Sequence, residues 1–369
     1  MLRYIAVSII LVFIFSISGF TQENNSEQPK IALSDLSIDM QWFLSYLNGK
    51  GNGITFNQFT LKRGYVNIKK KINNQLSGRI TIDITRDLEG DGEGDVEMRL
   101  KYLYLKYSLP SISFFYKPFL EFGLVHRPWI DFEQHINDYR VQGTMFLERN
   151  DVINSGDFGV VFMSYLGGEM DKEYQENISD SFAGKYGSFA FSISNGGGYH
   201  ALEKNENKSL EGRFSLRPFP HVIPGLQFTL HGAVGKGNIP ESPDWNYNSG
   251  YISYESKKLI LTGEFYSGLG NYKGSSIRDT VSFKSNPQQG YSFFGEYKIF
   301  HSMFSLFGRY DHFAEDLGSQ DFITKRSIVG FVFHFKHSSK VLIDYDKVSY
   351  TGKNKAGSEI FEVAIELRY

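Results

Sequence analysis

Charged and aromatic side chains concentrate in one long segment of the chain, from Arg127 to Ser155. Side chains of both signs can set the local electric field that selects ions, and aromatic side chains can pack such a segment against a wall. Its charged residues include Arg127, Asp131, Glu133, His135, Asp138, Arg140, Glu148 and Arg149, and the aromatic ones are Trp129, Phe132, Tyr139 and Phe146. The alternative interpretation is a surface loop whose charges only keep it hydrated.

Motifs for catalysis or cofactor binding are missing from the sequence. It contains no HExxH, no GxSxG and no phosphate-cradling glycine loop. His334 and His337 lie three positions apart on a predicted strand, so they point to opposite faces and cannot share a metal. The acidic run at 87–93 partly imitates a calcium loop, but Met98 stands where a bidentate Glu is needed, which favours a solvated loop. We therefore expect no enzymatic activity, no cofactor and no metal.

The last segment of the sequence has the alternation of a strand with one apolar and one polar face. From Phe361 to Tyr369 every odd position is apolar, whereas Glu362, Glu366 and Arg368 are charged. An outer-membrane β-barrel requires this pattern, with lipid on one side and a polar lumen on the other. A soluble sandwich can produce it too. The final aromatic residue also resembles the C-terminal signal that bacterial barrel assembly machinery reads.

About sixteen such alternating segments follow one another from Ile38 onward, each long enough to cross a thin membrane obliquely. They lie near 38–48, 56–72, 75–86, 97–109, 114–126, 156–166, 185–194, 208–217, 225–236, 250–257, 259–269, 289–299, 303–313, 325–337, 340–349 and 358–369. The pattern predicts an all-β fold, a transmembrane antiparallel barrel of about 16 strands with both termini in the periplasm.

The connections between these segments alternate in length, as short periplasmic turns and longer outer loops would. The predicted short turns are 73–74, 110–113, 218–224, 257–258, 300–302 and 338–339, and the predicted outer loops are 87–96, 127–155, 195–207, 237–249, 270–288 and 314–324. A sandwich has no reason to sort its connections in this way. One interval breaks the rule, because 167–184 falls on the short side but is long and acidic. Either a strand is misplaced there or that turn is extended.

The first residues have the pattern of an export signal. Arg3 precedes an almost unbroken apolar run from Ile5 to Phe15, and small residues follow up to Thr21. The run is shorter than the ~20 residues of a spanning helix. We predict a signal peptide at 1–21, a short periplasmic segment at 22–37 and a barrel at 38–369 in a Gram-negative outer membrane. The absence of cysteine excludes disulfides and a lipoprotein anchor, and the net charge of -2 gives no reason to expect nucleic acid.

The faces predicted to line the lumen carry charges of both signs. The basic residues assigned to them are Arg79, Arg99, Arg213, Arg217, Arg309 and Arg326, with Lys101 and Lys298 as further members. At least as many Asp and Glu residues share these faces. An anion channel needs a basic excess along one path, and the sequence alone does not show one.

Several short motifs resemble those of the phosphate-selective porin O and P-like family. They are Arg63–Ile68, Leu76–Ile80, Gly123–Trp129, Gly156–Val160, and Gly184–Phe189 leading into Asn195–Gly198. The resemblance covers most of residues 55–240. It implies a sixteen-stranded trimeric channel in which a ladder of Arg and Lys guides phosphate to a narrow site. It also implies that the loop after the fifth strand folds inward, which would place Arg127, Arg140 and Arg149 in the narrow region.

The sequence and the resemblance together lead to one functional hypothesis. We expect an outer-membrane porin for passive diffusion of small hydrophilic solutes, anions such as phosphate among them, through a lumen narrowed by loop 127–155. Its expected partners are membrane lipid, the barrel assembly machinery and, by resemblance, two further copies in a homotrimer. The alternative is a non-conducting structural or adhesive barrel that binds a partner through its outer loops.

Overall fold

The computed structural model describes residues 35–51, 53–87, 92–300, 302–335, 338–352 and 355–369. The predicted signal peptide and nearly all of the segment 22–37 lie outside the described residues. The described chain forms sixteen strands, each antiparallel to its neighbours, and β1 pairs with β16 to close the barrel. Closure leaves no unpaired sheet edge, which is the requirement for a sheet that faces lipid. The predicted fold class is confirmed.

The strand bounds are close to the predicted ones. They are β1 Leu36–Gly51, β2 Ile54–Lys71, β3 Leu76–Arg86, β4 Val96–Ser108, β5 Phe115–His126, β6 Gly156–Leu166, β7 Gly187–Ser194, β8 Ser209–Leu216, β9 Leu226–Lys236, β10 Asp244–Glu255, β11 Leu259–Leu269, β12 Pro287–Ile299, β13 Phe304–Asp316, β14 Asp321–His334, β15 Lys340–Thr351 and β16 Ser358–Arg368. Three helices lie between strands: α1 Pro128–Ile136, α2 Phe146–Arg149 and α3 Lys172–Asn177. No helix of the described residues is long and apolar enough to cross a membrane.

Apolar side chains point away from the barrel and charged ones point into it. On β15, Ile343 and Tyr345 are exposed on the outer face, whereas Asp344 is buried on the inner face. On β16, Phe361 is exposed and Glu362 is buried. Strand residues alternate between faces, so the hydrophobic pattern fixes which side of each strand meets lipid.

The intervals on the periplasmic side are short, as predicted, apart from the long interval already noted after β6. Those on the outer side are in part shorter than predicted. The interval 167–186 joins adjacent strands β6 and β7, so it is an extended turn and no strand is missing there. Two predicted outer loops, 237–249 and 314–324, are too long, because β10 begins at Asp244 and β13 and β14 pair as far as Asp316 and Asp321. The polar residues at these strand ends gave no apolar alternation to follow. Strand β1 ends at Gly51 and β2 begins at Ile54, so the first outer connection is also short.

Candidate functional site

The segment 127–155, here called the inner loop, lies inside the barrel. Its helix α1 begins with Pro128 in the first turn, a position that tolerates a missing backbone N–H. The Trp129 ring stacks on the His231 ring of β9, with centroids 3.6 Å apart and planes 6° from parallel. It also meets Tyr251 of β10 edge-on at 4.9 Å. Because Trp129 and Phe132 are fully buried, the helix is packed against the inner wall.

A buried ion-pair cluster fixes the start of the inner loop. Arg127 Nη2 lies 3.0 Å from Asp157 Oδ2 on β6, and its Nη1 lies 3.4 Å from Glu211 Oε2 on β8. The other carboxylate oxygen of Glu211 accepts a hydrogen bond from the backbone N–H of Trp129 at 2.9 Å. All three charged side chains are almost completely buried. Arg127 therefore anchors the loop and does not face the open lumen.

The middle of the inner loop reaches the opposite wall. Asp138 pairs with Lys340 of β15, at 2.8 Å, and with Arg368 of β16. Burial alone would raise the pKa of Asp138, but Lys340 and Arg368 outweigh it and lower the pKa to about 2. Tyr139 donates a hydrogen bond to Glu296 of β12 at 2.8 Å. The loop thus spans the lumen from β6 to β16.

A second group of contacts ties the end of the inner loop to the wall. Arg149 donates to the side-chain oxygen of Gln142 at 2.9 Å, and Gln142 donates to Asp346 of β15 at 3.1 Å. Arg309 of β13 binds Asp311 at 2.8 Å, and Arg149 lies 3.7 Å from the same carboxylate. These arginines hold the loop in place through polar contacts that are nearly inaccessible to solvent.

Glu133 is the carboxylate of the inner loop whose surroundings oppose its charge. The pKa of Glu133 is raised to about 7, chiefly by burial. Asp311 and Glu148 also raise the pKa, and Arg309 lowers it in part. The folded state therefore holds a proton that the unfolded chain releases near its ordinary pKa. The contribution of Glu133 to stability must fall as the pH rises from about 4.5 towards 7.

We expect Glu133→Gln to stabilise the barrel at pH 8 and to leave its stability at pH 4 unchanged. The amide stays neutral at every pH, so the variant should gain about 1–3 kcal/mol at pH 8. Thermal unfolding in detergent at the two pH values measures this difference. Glu241→Gln, at an exposed outer-loop position, is the control. An equal shift of the Glu133→Gln midpoint at both pH values would contradict the assignment.

The inner loop meets the wall formed by β2, β3 and β4 at an ion pair. Arg140 and Glu148, both in the loop, bind each other, and Arg140 lies beside Tyr65 of β2. Lys101 of β4 also contacts Tyr65 and donates a hydrogen bond to its hydroxyl at 3.1 Å. The carboxylate of Glu148 interacts electrostatically with both Arg140 and Lys101. This is the place where loop and wall come together, and we call it the junction.

Above the junction, towards the outer loops, three strands contribute one charge cluster. Arg63 of β2 and Arg99 of β4 bind the same carboxylate, Asp83 of β3, at 2.6 and 3.0 Å. Tyr199, from the outer interval 195–208, adds its hydroxyl at 3.3 Å from Asp83. Two guanidinium groups thus share one fully buried carboxylate, with Glu97 at 3.3 Å from Arg99.

Below the cluster, two basic side chains have no carboxylate within 4 Å among the described residues. Lys101 contacts Tyr65, and Arg79 donates to Asn67 at 2.8 Å and to Thr81 at 3.0 Å. Both line a cavity of about 980 Å³ on the periplasmic side of the junction. Together with Arg63 and Arg99 they form a basic row down the inner wall of β2–β4.

A β-bulge places Lys101 in this row. Thr81 pairs with Tyr102 and Ile82 pairs with Leu100, so Lys101 is the extra residue on β4. A bulge turns two successive side chains towards one face, and here both Lys101 and Tyr102 are buried on the inner side. Lys62 on β2 is the extra residue of a similar irregularity. Strict alternation from Arg99 assigned Lys101 to the inner face, but it could not reveal that the next residue, Tyr102, shares that face.

The periplasmic cavity itself is close to electrically balanced. Its lining contains seven basic and six acidic side chains, with three histidines, so the basic excess lies in the wall row and not in the cavity as a whole. Several of these charges neutralise each other, as Lys69 and Asp39 do at 3.0 Å. Asp131 and His135 of α1 lie in this lining, 3.8 Å apart. Burial raises the pKa of Asp131, but His126 and His135 outweigh it and lower the pKa overall.

The remaining predicted basic residues lie away from the row. Arg213 of β8 and Arg217, which directly follows β8, are sealed from solvent. Arg309 is buried against Asp311, and Arg326 of β14 binds Asp346. Arg326 and Arg149 border a separate cavity of about 300 Å³ on the outer side. Sequence reasoning assigned Lys101 to the lumen face but did not single out Arg63, Tyr65 or Tyr199. Among the described residues, no group of three or more His, Asp or Glu side chains is arranged to hold a metal ion.

Comparison with known proteins shows the fold. No family model and no curated protein match the chain. The anion-selective porin from Comamonas acidovorans superposes with a TM-score of 0.61 at 10% identity, covering 90% of this chain and 99% of that one. OmpF from Salmonella typhi, solved with daunomycin, gives 0.60 at 13% identity, covering 90% and 97%. The trimer form of OmpT from Vibrio cholerae gives 0.57 at 11% identity, covering 90% and 99%. The chain has the fold of the outer-membrane porins.

Proposed function

We propose that the protein is an outer-membrane porin through which small hydrophilic solutes diffuse passively, with a preference for anions. The proposal follows the fold, the polar inner face and the apolar outer face. The observation that carries the anion preference is the basic row, in which Lys101 and Arg79 face a large cavity without a carboxylate partner. Phosphate belongs to the solutes that such a row would admit.

The proposed constriction is the junction between the inner loop and the wall. Loop residues of the proposed site divide into two groups by their contacts. Arg140 and Glu148 border the path at the junction, and Asp131 and His135 border the cavity below it. Arg127, Asp138 and Arg149 hold the loop against the wall, Asp138 at the edge of the same cavity, and Glu133 is buried. A fixed field from paired and unpaired charges in a narrow passage selects ions by sign.

The proposed location and assembly rest on the porin fold. An N-terminal export signal and an outward apolar face are consistent with insertion in a Gram-negative outer membrane. A homotrimer is proposed from the resemblance noted in the sequence and from the trimeric form of one structural relative.

Reconstitution of the purified protein in planar bilayers tests the proposed function. In a potassium chloride gradient we expect stable single channels and a reversal potential of the sign set by chloride. Replacing chloride by phosphate should retain conductance. Channels with a reversal potential set by potassium would refute the anion preference and leave the porin function standing. Protein that inserts without any conductance would refute both.

A non-conducting barrel that binds a partner is the second candidate, and the outer loops provide an observation in its favour. Three of them interlock through Asn238, which donates to the carbonyl of Leu202 at 2.9 Å and to that of Tyr272 at 2.9 Å. On the surface of these joined outer loops, the side chains of Leu202 and Val281 are 86% and 89% exposed. Exposed apolar side chains on a rigid surface suit a protein partner. Absence of conductance with retained insertion would favour this candidate.

A further inference from the structure

The extended periplasmic turn 167–186, here called the inner insertion, is a folded unit. Glu169 and Gly184 pair as an antiparallel bridge at its base. Asp171 caps α3 by accepting a hydrogen bond from the backbone N–H of Tyr174 at 2.8 Å. Met170, Tyr174 and Ala183 are buried together. A turn only needs to connect β6 and β7, so this amount of structure requires another explanation.

The inner insertion covers the buried side chain of Arg217, the residue that directly follows β8. Arg217 donates to the carbonyl of Gly184 and, at 3.2 Å, to the hydroxyl of Tyr174. Its guanidinium lies 4.9 Å from the Tyr174 ring centroid. The side chain is fully buried, and no described carboxylate lies within 4 Å of it. A cation on the wall of a water-filled barrel is thus withheld from water by the insertion.

The inner insertion also packs against the inner loop. Phe182 meets Phe132 of α1 edge-on, with ring centroids 5.1 Å apart. Arg213 of β8 lies over both rings, at 4.3 Å from Phe132 and 4.9 Å from Phe182. Arg213 donates to the carbonyl of Pro128 at 3.2 Å and to Ser188 at 2.9 Å. It too is buried without a carboxylate within 4 Å among the described residues.

Two buried guanidinium groups without carboxylate partners are costly, because their hydration is lost without a full ionic replacement. On an anion path they would serve best if exposed. We propose that the inner insertion is a second narrowing element, which together with the inner loop closes the lumen over β6–β10 and keeps Arg213 and Arg217 out of the solute path. This inference rests on the proposed porin function. Solutes are thereby confined to the basic row on β2–β4.

Shortening the insertion tests the inference by conductance. Residues 170–183 are replaced by Asn-Gly, a two-residue turn suited to the bridged pair Glu169 and Gly184. We expect conductance to rise about twofold and the anion preference to increase, because a wider lumen then exposes two more cations. Adding Arg217→Gln to the shortened chain should cancel part of the increase in preference and leave the larger conductance. Glu176→Gln, at an exposed position of α3, is the control and should change neither quantity.

A thiol probe gives a readout that does not depend on conductance. The chain has no cysteine, so Ser188→Cys introduces a single thiol at a fully buried inner position. We expect a charged methanethiosulfonate reagent to modify it in the shortened chain and not in the full one. Ser302→Cys, exposed beside the periplasmic cavity, should react in both. If the shortened chain does not fold, Tyr174→Ala in the full chain replaces it, because it removes only the ring over Arg217. The Ser188→Cys thiol should then react at an intermediate rate.

The outcomes separate the two proposals. Wild-type protein without conductance would refute the porin function, whereas the thiol result would still report on the insertion. Conductance and preference that are unchanged by shortening would refute the narrowing role and leave the porin function intact. Fast modification of Ser188→Cys in the full chain would show that the insertion does not seal this region, which also overturns the inference.

Discussion

Replacing Lys101 with glutamate is expected to reverse the proposed anion preference and make the channel prefer cations. Lys101 stands at the junction, it contacts Tyr65, and no described carboxylate lies within 4 Å to neutralise it. A unit charge about 5 Å from a passing ion is worth roughly 1–3 kcal/mol between the water and protein-surface dielectric limits. Allowing for screening, the anion-to-cation permeability ratio should fall about tenfold. Reversal potentials in a potassium chloride gradient measure the ratio.

Two further variants make the Lys101 experiment specific. Lys101→Gln removes the charge without reversing it, so its permeability ratio should fall between those of the wild type and Lys101→Glu. Lys258→Glu changes the same charge in a short exposed periplasmic turn and should have a small effect. An equal effect at Lys258 would mean that surface charge sets the preference. No effect at Lys101 would remove it from the proposed path.

The fold could be predicted because the membrane imposes a strict two-residue period. Every strand separates lipid from lumen, so its face assignment is written in the sequence, and β16 shows this with Glu362 and Phe361 on opposite sides. The pattern failed where outward residues were polar. Asn246 and Asn248 lie on β10, which therefore begins six residues before its predicted start at 250. Interval 167–186 was recognised as anomalous, but its fold depends on contacts with β8 that no local pattern specifies.

The site was predicted less well, because alternation tells which face a residue occupies and not what covers that face. Arg79 and Arg217 were both assigned to the lumen face from the sequence. In the structure Arg79 lines the periplasmic cavity, whereas Arg217 lies under Tyr174. Lys101 was assigned to the lumen face from the sequence, but the bulge that turns Tyr102 to the same face breaks the alternation and was not predicted. Asp83 binds Arg63 and Arg99 across strand partners, and that contact requires the register of β2–β4. The resemblance motif contained Arg63 and Tyr65 but gave neither a role.

In the proposed porin, the anchors of the inner loop matter because they determine where the proposed passage runs. The loop is held at β6 and β8 by Arg127 and at β15 and β16 by Asp138. After the second anchor, Arg140 and Glu148 are carried to the β2–β4 wall. Loss of either anchor would release the loop from one side of the barrel. Ion selectivity and single-channel conductance should then change together, since the inner loop is proposed to determine both.

Arg127→Met is expected to have the largest effect on stability of any single change in the inner loop. It leaves Asp157 and Glu211 buried without their cation, and breaking a buried pair from one side costs about 3–5 kcal/mol. Urea unfolding in detergent, followed by tryptophan fluorescence, measures the loss in free energy of unfolding. Trp129 lies two residues away and its backbone N–H binds Glu211, so bilayer recordings of the variant should show noisier and larger channels.

Comparison with an exposed pair and with a neutralised site decides whether burial causes this effect. Arg278 pairs with Asp316 at 2.8 Å, but both side chains are about a third or more exposed. Arg278→Met should therefore cost only about 0–1 kcal/mol. Adding Asp157→Asn and Glu211→Gln to Arg127→Met removes the stranded charges and should recover much of the lost stability. If the triple variant is no more stable than Arg127→Met alone, the lost packing of the long side chain, and not its charge, is what anchors the loop.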